Sequence, residues 1–116
     1  MRAVRLPSND KRSKPASTKR ASLPRIFSYS KQFLKDWKRL SRSGRYDMGA
    51  LKTSMLLLMA NDAPLPPEYK DHELNGKWDD HRECHVGGDF LLIYTLEEKK
   101  NLIVFVATGT HAELFE

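Results

Sequence analysis

The sequence predicts an α+β domain, an N-terminal helical hairpin packed on one face of a twisted antiparallel β-sheet of four to five strands. Apolar residues in the first half recur at helical spacing. Those in the second half form short runs rich in β-branched and aromatic residues, separated by turn residues. Helical segments come first and strands follow with short connections, which is the order of an α+β layer pair.

Residues 1–24 are rich in Ser, Lys, Arg and Pro and offer almost nothing to bury. They read as a basic, disordered extension ahead of a folded domain over 25–116. Arg25–Tyr29 is a short strand candidate, and Ser30 is placed to cap a helix. Phe33, Leu34, Trp37 and Leu40 share one face of Lys31–Arg42, which Ser43-Gly44 ends. A second helix over Asp47–Asn61 carries Met48, Leu51, Met55, Leu58 and Met59. Pro64-Leu65-Pro66-Pro67 excludes both helix and central strand. Strands are then expected over Glu73–Trp78, His81–Val86, Phe90–Leu96 and Leu102–Thr108. Turns at Gly87-Gly88 and Glu98–Asn101 join them as a meander. With helices on one side, the other face of the sheet is left for a substrate.

A chain of 116 residues fits one domain and needs neither disulfide nor metal for stability. Its one cysteine excludes an internal disulfide framework and suits a reducing cytosol. No apolar run approaches the roughly 20 residues that span a bilayer. Charge is unevenly spread: residues 1–25 carry +7, 26–60 carry +5 and 61–116 carry −7, within a net +5. The basic half therefore offers a nucleic-acid footprint, against the plainer alternative of a solvated helix face.

All four histidines, His72, His81, His85 and His111, fall in the acidic half. Histidine is the side chain best suited to proton transfer near neutral pH. On the third strand, alternation puts Arg82, Cys84 and Val86 on one face and Glu83, His85 and Gly87 on the other. His85 then points away from the helices. A zinc site at His81-x-x-Cys84-His85 is disfavoured, because neighbouring strand residues point opposite ways and paired ligand spacings are absent. Cys84, beside Val86, reads as an inert core thiol. Ordinary surface histidines in an interaction module are the remaining alternative.

Three ordered motifs carry a resemblance. Pro66-Pro67-Glu68-Tyr69-Lys70-Asp71-His72-Glu73-Leu74-Asn75-Gly76-Lys77-Trp78 is the first, and Arg82–Val86 with Asp89–Tyr94 the second. Thr108-Gly109-Thr110-His111-Ala112-Glu113-Leu114-Phe115 is the third. Together they resemble YafQ-type toxins of the RelE/ParE superfamily, across about residues 26–116. The resemblance implies a RelE/ParE-like fold and a bacterial, cytoplasmic endoribonuclease that cuts messenger RNA in the ribosomal A site. It also implies a cognate antitoxin as neutralising partner, with no cofactor, metal or membrane. Its catalytic positions fall on His72, His85, Asp89 and His111, and an aromatic that contacts substrate falls on Phe115. Phe90 stands where relatives often have tryptophan, which keeps a stacking ring but loses an indole N–H.

These residues suit transesterification at phosphorus, in which a base takes the ribose 2′-OH proton and an acid protonates the leaving 5′-oxygen. His85 and His111 are the expected acid–base pair, with Asp89 orienting a histidine or acting as base. His72 and Arg82 are expected to hold the scissile phosphate. Lys31, Lys35, Lys38, Arg39, Arg42 and Arg45 are expected to grip ribosomal RNA. Two alternatives stay open: a non-catalytic nucleic-acid or antitoxin-binding relative, and a gyrase-poisoning ParE-type toxin, whose branch lacks the histidine set.

Overall fold

A computed structural model describes residues 23–116. The expectation of a disordered extension lies, for residues 1–22, outside the described residues. Leu23 and Pro24, ahead of the first strand, are hydrogen-bonded to the domain. Asn61 Nδ2 donates to the Leu23 carbonyl at 2.9 Å and Asn101 Nδ2 donates to that of Pro24 at 2.8 Å.

The chain begins with strand β1 (Ile26–Tyr29), then helices α1 (Lys31–Ser43) and α2 (Met48–Ala60). Strands β2 (His72–Glu73), β3 (Arg82–Gly87), β4 (Phe90–Glu97) and β5 (Leu102–Thr110) follow, and a short helix α3 (His111–Phe115) comes last. The sheet order is β1-β5-β4-β3-β2. Pairings among β2 to β5 are antiparallel, as expected, but β1 pairs with β5 in parallel, so the sheet is mixed. The cause is the path of the chain. The two helices carry the chain from β1 to β2 at the far edge of the sheet, and the antiparallel run from β2 to β5 returns it beside β1 in the same direction, a long connection where a tight turn could give only an antiparallel neighbour.

Ser30 starts α1 as expected. Its Oγ accepts from Phe33 N–H at 2.9 Å and donates to the Val106 carbonyl at 2.6 Å, which ties the helix start to β5. Gly44 ends α1 at φ +70°, a conformation that glycine adopts without Cβ strain. Asp47 caps α2 by accepting from Ala50 N–H. Phe33 and Leu40 of α1, with Leu51 and Leu58 of α2, join Cys84, Phe90, Leu92, Tyr94, Ile103 and Phe105 of the sheet in one core. Leu34, expected on the apolar face of α1, is exposed, and the polar Asp36 is buried instead. Asp36 accepts the buried Thr108 N–H at 3.1 Å, so the carboxylate completes the hydrogen bonding of β5.

The sheet departs from expectation at three points. The strand expected over Glu73–Trp78 shrinks to two residues, because Asn75-Gly76 turns the chain, with Gly76 at φ +68°, into a 3₁₀ turn over Gly76–Trp78. The β3–β4 turn lies at Gly88-Asp89, one residue later than expected, and Gly87 belongs to β3 at an irregular register. Strand β5 runs two residues further and leads into α3, which no expectation included. Thr110 and Glu113 form a reciprocal capping box there. The pattern of Thr with Glu three residues on is a helix-start signature legible in sequence.

The face away from α1 and α2 is not open throughout. Glu83, Ile93 and Ala107 lie side by side across β3, β4 and β5, as do His85, Leu91 and Gly109. Glu83, Leu91, Ile93 and Ala107 are all buried. Trp78, beyond the start of β3, meets Phe115 of α3 edge-on at 6.1 Å, a contact that spans the intervening strands. Among the described residues no helix is long and apolar enough to cross a membrane.

Candidate active site

The register of β2 and β3 sets the first part of the site. His72 is paired with Glu83, and His85 lies two residues along the same face of β3. The Glu83 side chain is only 6% exposed, that of His85 28% and that of His72 50%. Both imidazoles turn Nε2 toward one carboxylate oxygen, Glu83 Oε2, at 3.3 Å for His85 and 3.8 Å for His72. His72 Nδ1 lies 2.6 Å from the Lys70 carbonyl, which can only accept, so Nδ1 carries the proton there. Sequence reasoning passed over Glu83. The signal available to it was the alternation that put Glu83 beside His85, but a glutamate on an outward face ordinarily reads as solvated.

The second part comes from the end of β5. Asp89, in the β3–β4 turn, accepts the backbone N–H of His111 at 3.1 Å through Oδ1. That bond satisfies a helix N-terminal donor which otherwise lacks a partner, and it fixes the start of α3 against the turn that follows His85. The His111 ring packs on Phe115, with centroids 4.9 Å apart. Asp89 thus meets a histidine at its backbone N–H rather than at its ring. His72, Glu83 and His85 form one cluster, and Asp89, His111 and Phe115 form a second, joined to the first by the β3–β4 hairpin.

Two expected substrate contacts lie elsewhere. Arg82 is on the opposite face of β3 from His85, with NH2 3.3 Å from Asp71 Oδ2 and NH1 3.6 Å from Glu73 Oε2. The Tyr94 hydroxyl also donates to Asp71. Burial opposes the charge on Arg82, but hydrogen bonds to Tyr94 and Asp71 outweigh it and the guanidinium pKa is raised. Burial, reinforced by Asp71, raises the Tyr94 phenol. Arg82 and Tyr94 therefore anchor the residue preceding His72. Phe90, expected to stack on a base, is buried with its ring 5.2 Å from that of Tyr46.

The remaining residues lie apart from both clusters. His81 is a turn residue whose Nδ1 lies 3.0 Å from the Asp79 carbonyl. Cys84 is fully buried, and burial with nearby Asp71 and Glu83 pushes its thiol up to about 12, so it stays an unreactive core group. Lys31, Lys35, Lys38, Arg39, Arg42 and Arg45 are all exposed. Lys31, Lys35, Lys38 and Arg42 follow a helical row that faces away from Phe33 and Leu40. Arg39 lies to one side, with NH1 donating to Glu113 Oε2 at 2.6 Å. Among the described residues no group of three or more His, Cys, Asp or Glu side chains is arranged to hold a metal ion.

Comparison with known proteins gives a consistent result. The family described as bacterial toxin of type II toxin–antitoxin system, YafQ, matches residues 25–116. The chain is 47% identical to the mRNA interferase toxin YafQ of Escherichia coli K12, over 80% of this chain and 98% of that protein. The crystal structure of YafQ from E. coli BL21(DE3) superposes with a TM-score of 0.72 at 46% identity, covering 79% of this chain and 99% of the other. The E. coli DinJ–YafQ complex gives 0.70 at 47% identity, with 79% and 99% covered.

Proposed function

Because this chain belongs to the YafQ family, the mRNA-interferase toxins of type II toxin–antitoxin systems, we propose that it cleaves messenger RNA in the ribosomal A site by metal-independent acid–base catalysis. The observation that carries the mechanism is the convergence of His72 and His85 on the buried carboxylate of Glu83, with His111 joined to the same hairpin through Asp89.

His85 and His111 act as the acid–base pair. One takes the proton from a ribose 2′-OH, whose oxygen attacks the adjacent phosphorus in line. The other protonates the departing 5′-oxygen, so the products are a 2′,3′-cyclic phosphate and a 5′-hydroxyl end. Each proton transfer of this kind contributes about 10²–10⁴-fold. Glu83 holds the His72 and His85 rings in a fixed orientation, as a carboxylate behind a working histidine does in other enzymes. His72, the more exposed ring, contacts the scissile phosphate. Phe115 backs the His111 ring and presents an aromatic edge to a base.

The finer architecture follows the same reading. The α1–α2 pair, joined by residues 44–47 and burying side chains in one core, serves as the helical hairpin of a RelE/ParE-like fold. The domain spans 25–116, and its site of action is the bacterial cytoplasm, where ribosomes are. An antitoxin neutralises it, by analogy with DinJ in the E. coli complex.

Primer extension on a reporter messenger in a reconstituted translation mix tests the proposal. In-frame cuts are expected only when ribosomes are present. A folded, antitoxin-free protein that makes no cuts would favour a binding module instead.

Lys31, Lys35, Lys38 and Arg42 of α1, with Arg45, are proposed to contact ribosomal phosphates, while Arg39 is engaged by Glu113 and stands outside that row. Ribosome affinity should then fall linearly on a log–log plot against salt, by about one power of ten per decade of salt for each phosphate neutralised. A flat response in a filter-binding titration would return these residues to the role of a solvated face.

A further inference from the structure

A chain of polar contacts outside the histidine clusters joins α1 to α3. Asp36 Oδ2 accepts the Thr108 N–H at 3.1 Å, and its Oδ1 accepts from Arg39 NH2 at 3.4 Å. The other arm of the same guanidinium, NH1, donates to Glu113 Oε2 at 2.6 Å. Glu113 Oε1 in turn accepts the Thr110 N–H at 2.8 Å. Both oxygens of Glu113 are therefore engaged, one by the backbone at its own helix start and one by a different helix. The Thr110 N–H, with Arg39, holds this carboxyl below its ordinary range, so it is ionised at neutral pH.

We propose that Arg39 and Glu113 are positioning residues for His111, their ion pair clamping α3 to α1 so that the imidazole is held at the reaction site. The inference rests on the acid–base role assigned to His111 above. A helix of five residues cannot sustain itself and takes its orientation from whatever holds it. The capping box and Asp89 fix where α3 begins, but both act at its first turn. Trp78 meets the far end of α3 at Phe115, and the Arg39–Glu113 pair adds the tie to α1 that fixes how the helix leans across the sheet. Arg39 suits this because its planar fork reaches Asp36 and Glu113 together, which a lysine ammonium on a flexible stem does less well. Asp36 is itself locked to β5 two residues before the cap of α3. The clamp is half exposed and contributes little to global stability. Its effect falls on geometry, where a shift of about 1 Å can cost 10²-fold in rate.

The test is single-turnover cleavage on programmed ribosomes across a toxin titration, with Arg39→Ala, Arg39→Lys, Glu113→Gln and the double variant Arg39→Ala/Glu113→Gln. The saturating rate should fall about 10-fold in Arg39→Ala and in Glu113→Gln, with the half-saturating concentration and Tm unchanged. The double variant should be no slower than either single one, because both remove the same contact. Arg39→Lys should recover part of the loss. The His111 imidazole NMR signal, displaced by the Phe115 ring, should move toward the free-histidine position in step with the rate. Losses that multiply in the double variant, a change confined to half-saturation, or wild-type rates would overturn the clamp. His111→Ala in the same series separates the two readings. If it cleaves normally, the acid–base role fails and the clamp with it. If it is inactive while the Arg39 and Glu113 variants are normal, only the clamp fails.

Discussion

Replacing His85 with alanine is expected to lower the single-turnover cleavage rate by about 10²–10⁴-fold, the usual contribution of a positioned proton-transfer group. Ribosome affinity, antitoxin binding and Tm should be nearly unchanged. His85 lies on the face away from the helical core, with 28% of its side chain exposed, so truncation opens no sealed cavity. Its ring touches Glu83, while the basic row of α1 that is proposed to meet ribosomal RNA faces another way. The loss should therefore appear in the rate at saturation. An effect on half-saturation alone would recast His85 as a binding group, and an unimpaired rate would remove it from the mechanism.

Glu83→Ala is expected to cost about 10–100-fold in the same rate, in line with the loss of a carboxylate that orients a functional histidine. Two imidazoles share its Oε2, so both lose their common partner at once. Glu83→Gln keeps the shape and should fall between alanine and wild type. The check is rate and Tm measured together, with nitrogen NMR reporting the tautomers of His72 and His85. A normal rate in a folded Glu83→Ala protein would reduce Glu83 to a buried carboxylate without catalytic consequence. Mixed tautomers accompanied by a lower rate would support the orienting role.

The sequence was informative wherever a single local rule governed the outcome. The spacing of Phe33, Trp37 and Leu40, with Ser30 ahead and Gly44 behind, defined α1 to within a residue. The strand alternation at Cys84 and His85 correctly opposed a core thiol to a partly exposed imidazole. What escaped depends on partners distant in sequence. Asp36 reads as one more charge on a helix, and only the Thr108 N–H, 72 residues on, makes its burial sensible. Glu83 is similar, because its role exists only once β2 brings His72 alongside. Arg82 and Phe90 have chemistry suited to RNA, yet Asp71 and Tyr46 engage them within the fold. Helix α3 is a different case: Thr110 and Glu113 announced it, and a five-residue helix is too short for hydrophobic periodicity to register.

The parallel pairing of β1 with β5 has a consequence in time. The first strand of the sheet finds its neighbour in the last, with Ile26 beside Leu102, and β5 also carries one side of β4. During synthesis β1, α1 and α2 emerge early but have no sheet to close upon. Ile103 and Phe105, which fill the centre of the core, emerge after β2, β3 and β4, followed by His111. A chain made only as far as β4 therefore lacks both the centre of its core and the histidine proposed as one half of the acid–base pair. On the proposed mechanism, the order of the strands therefore delays cleavage until β5 has been made and has paired with β1.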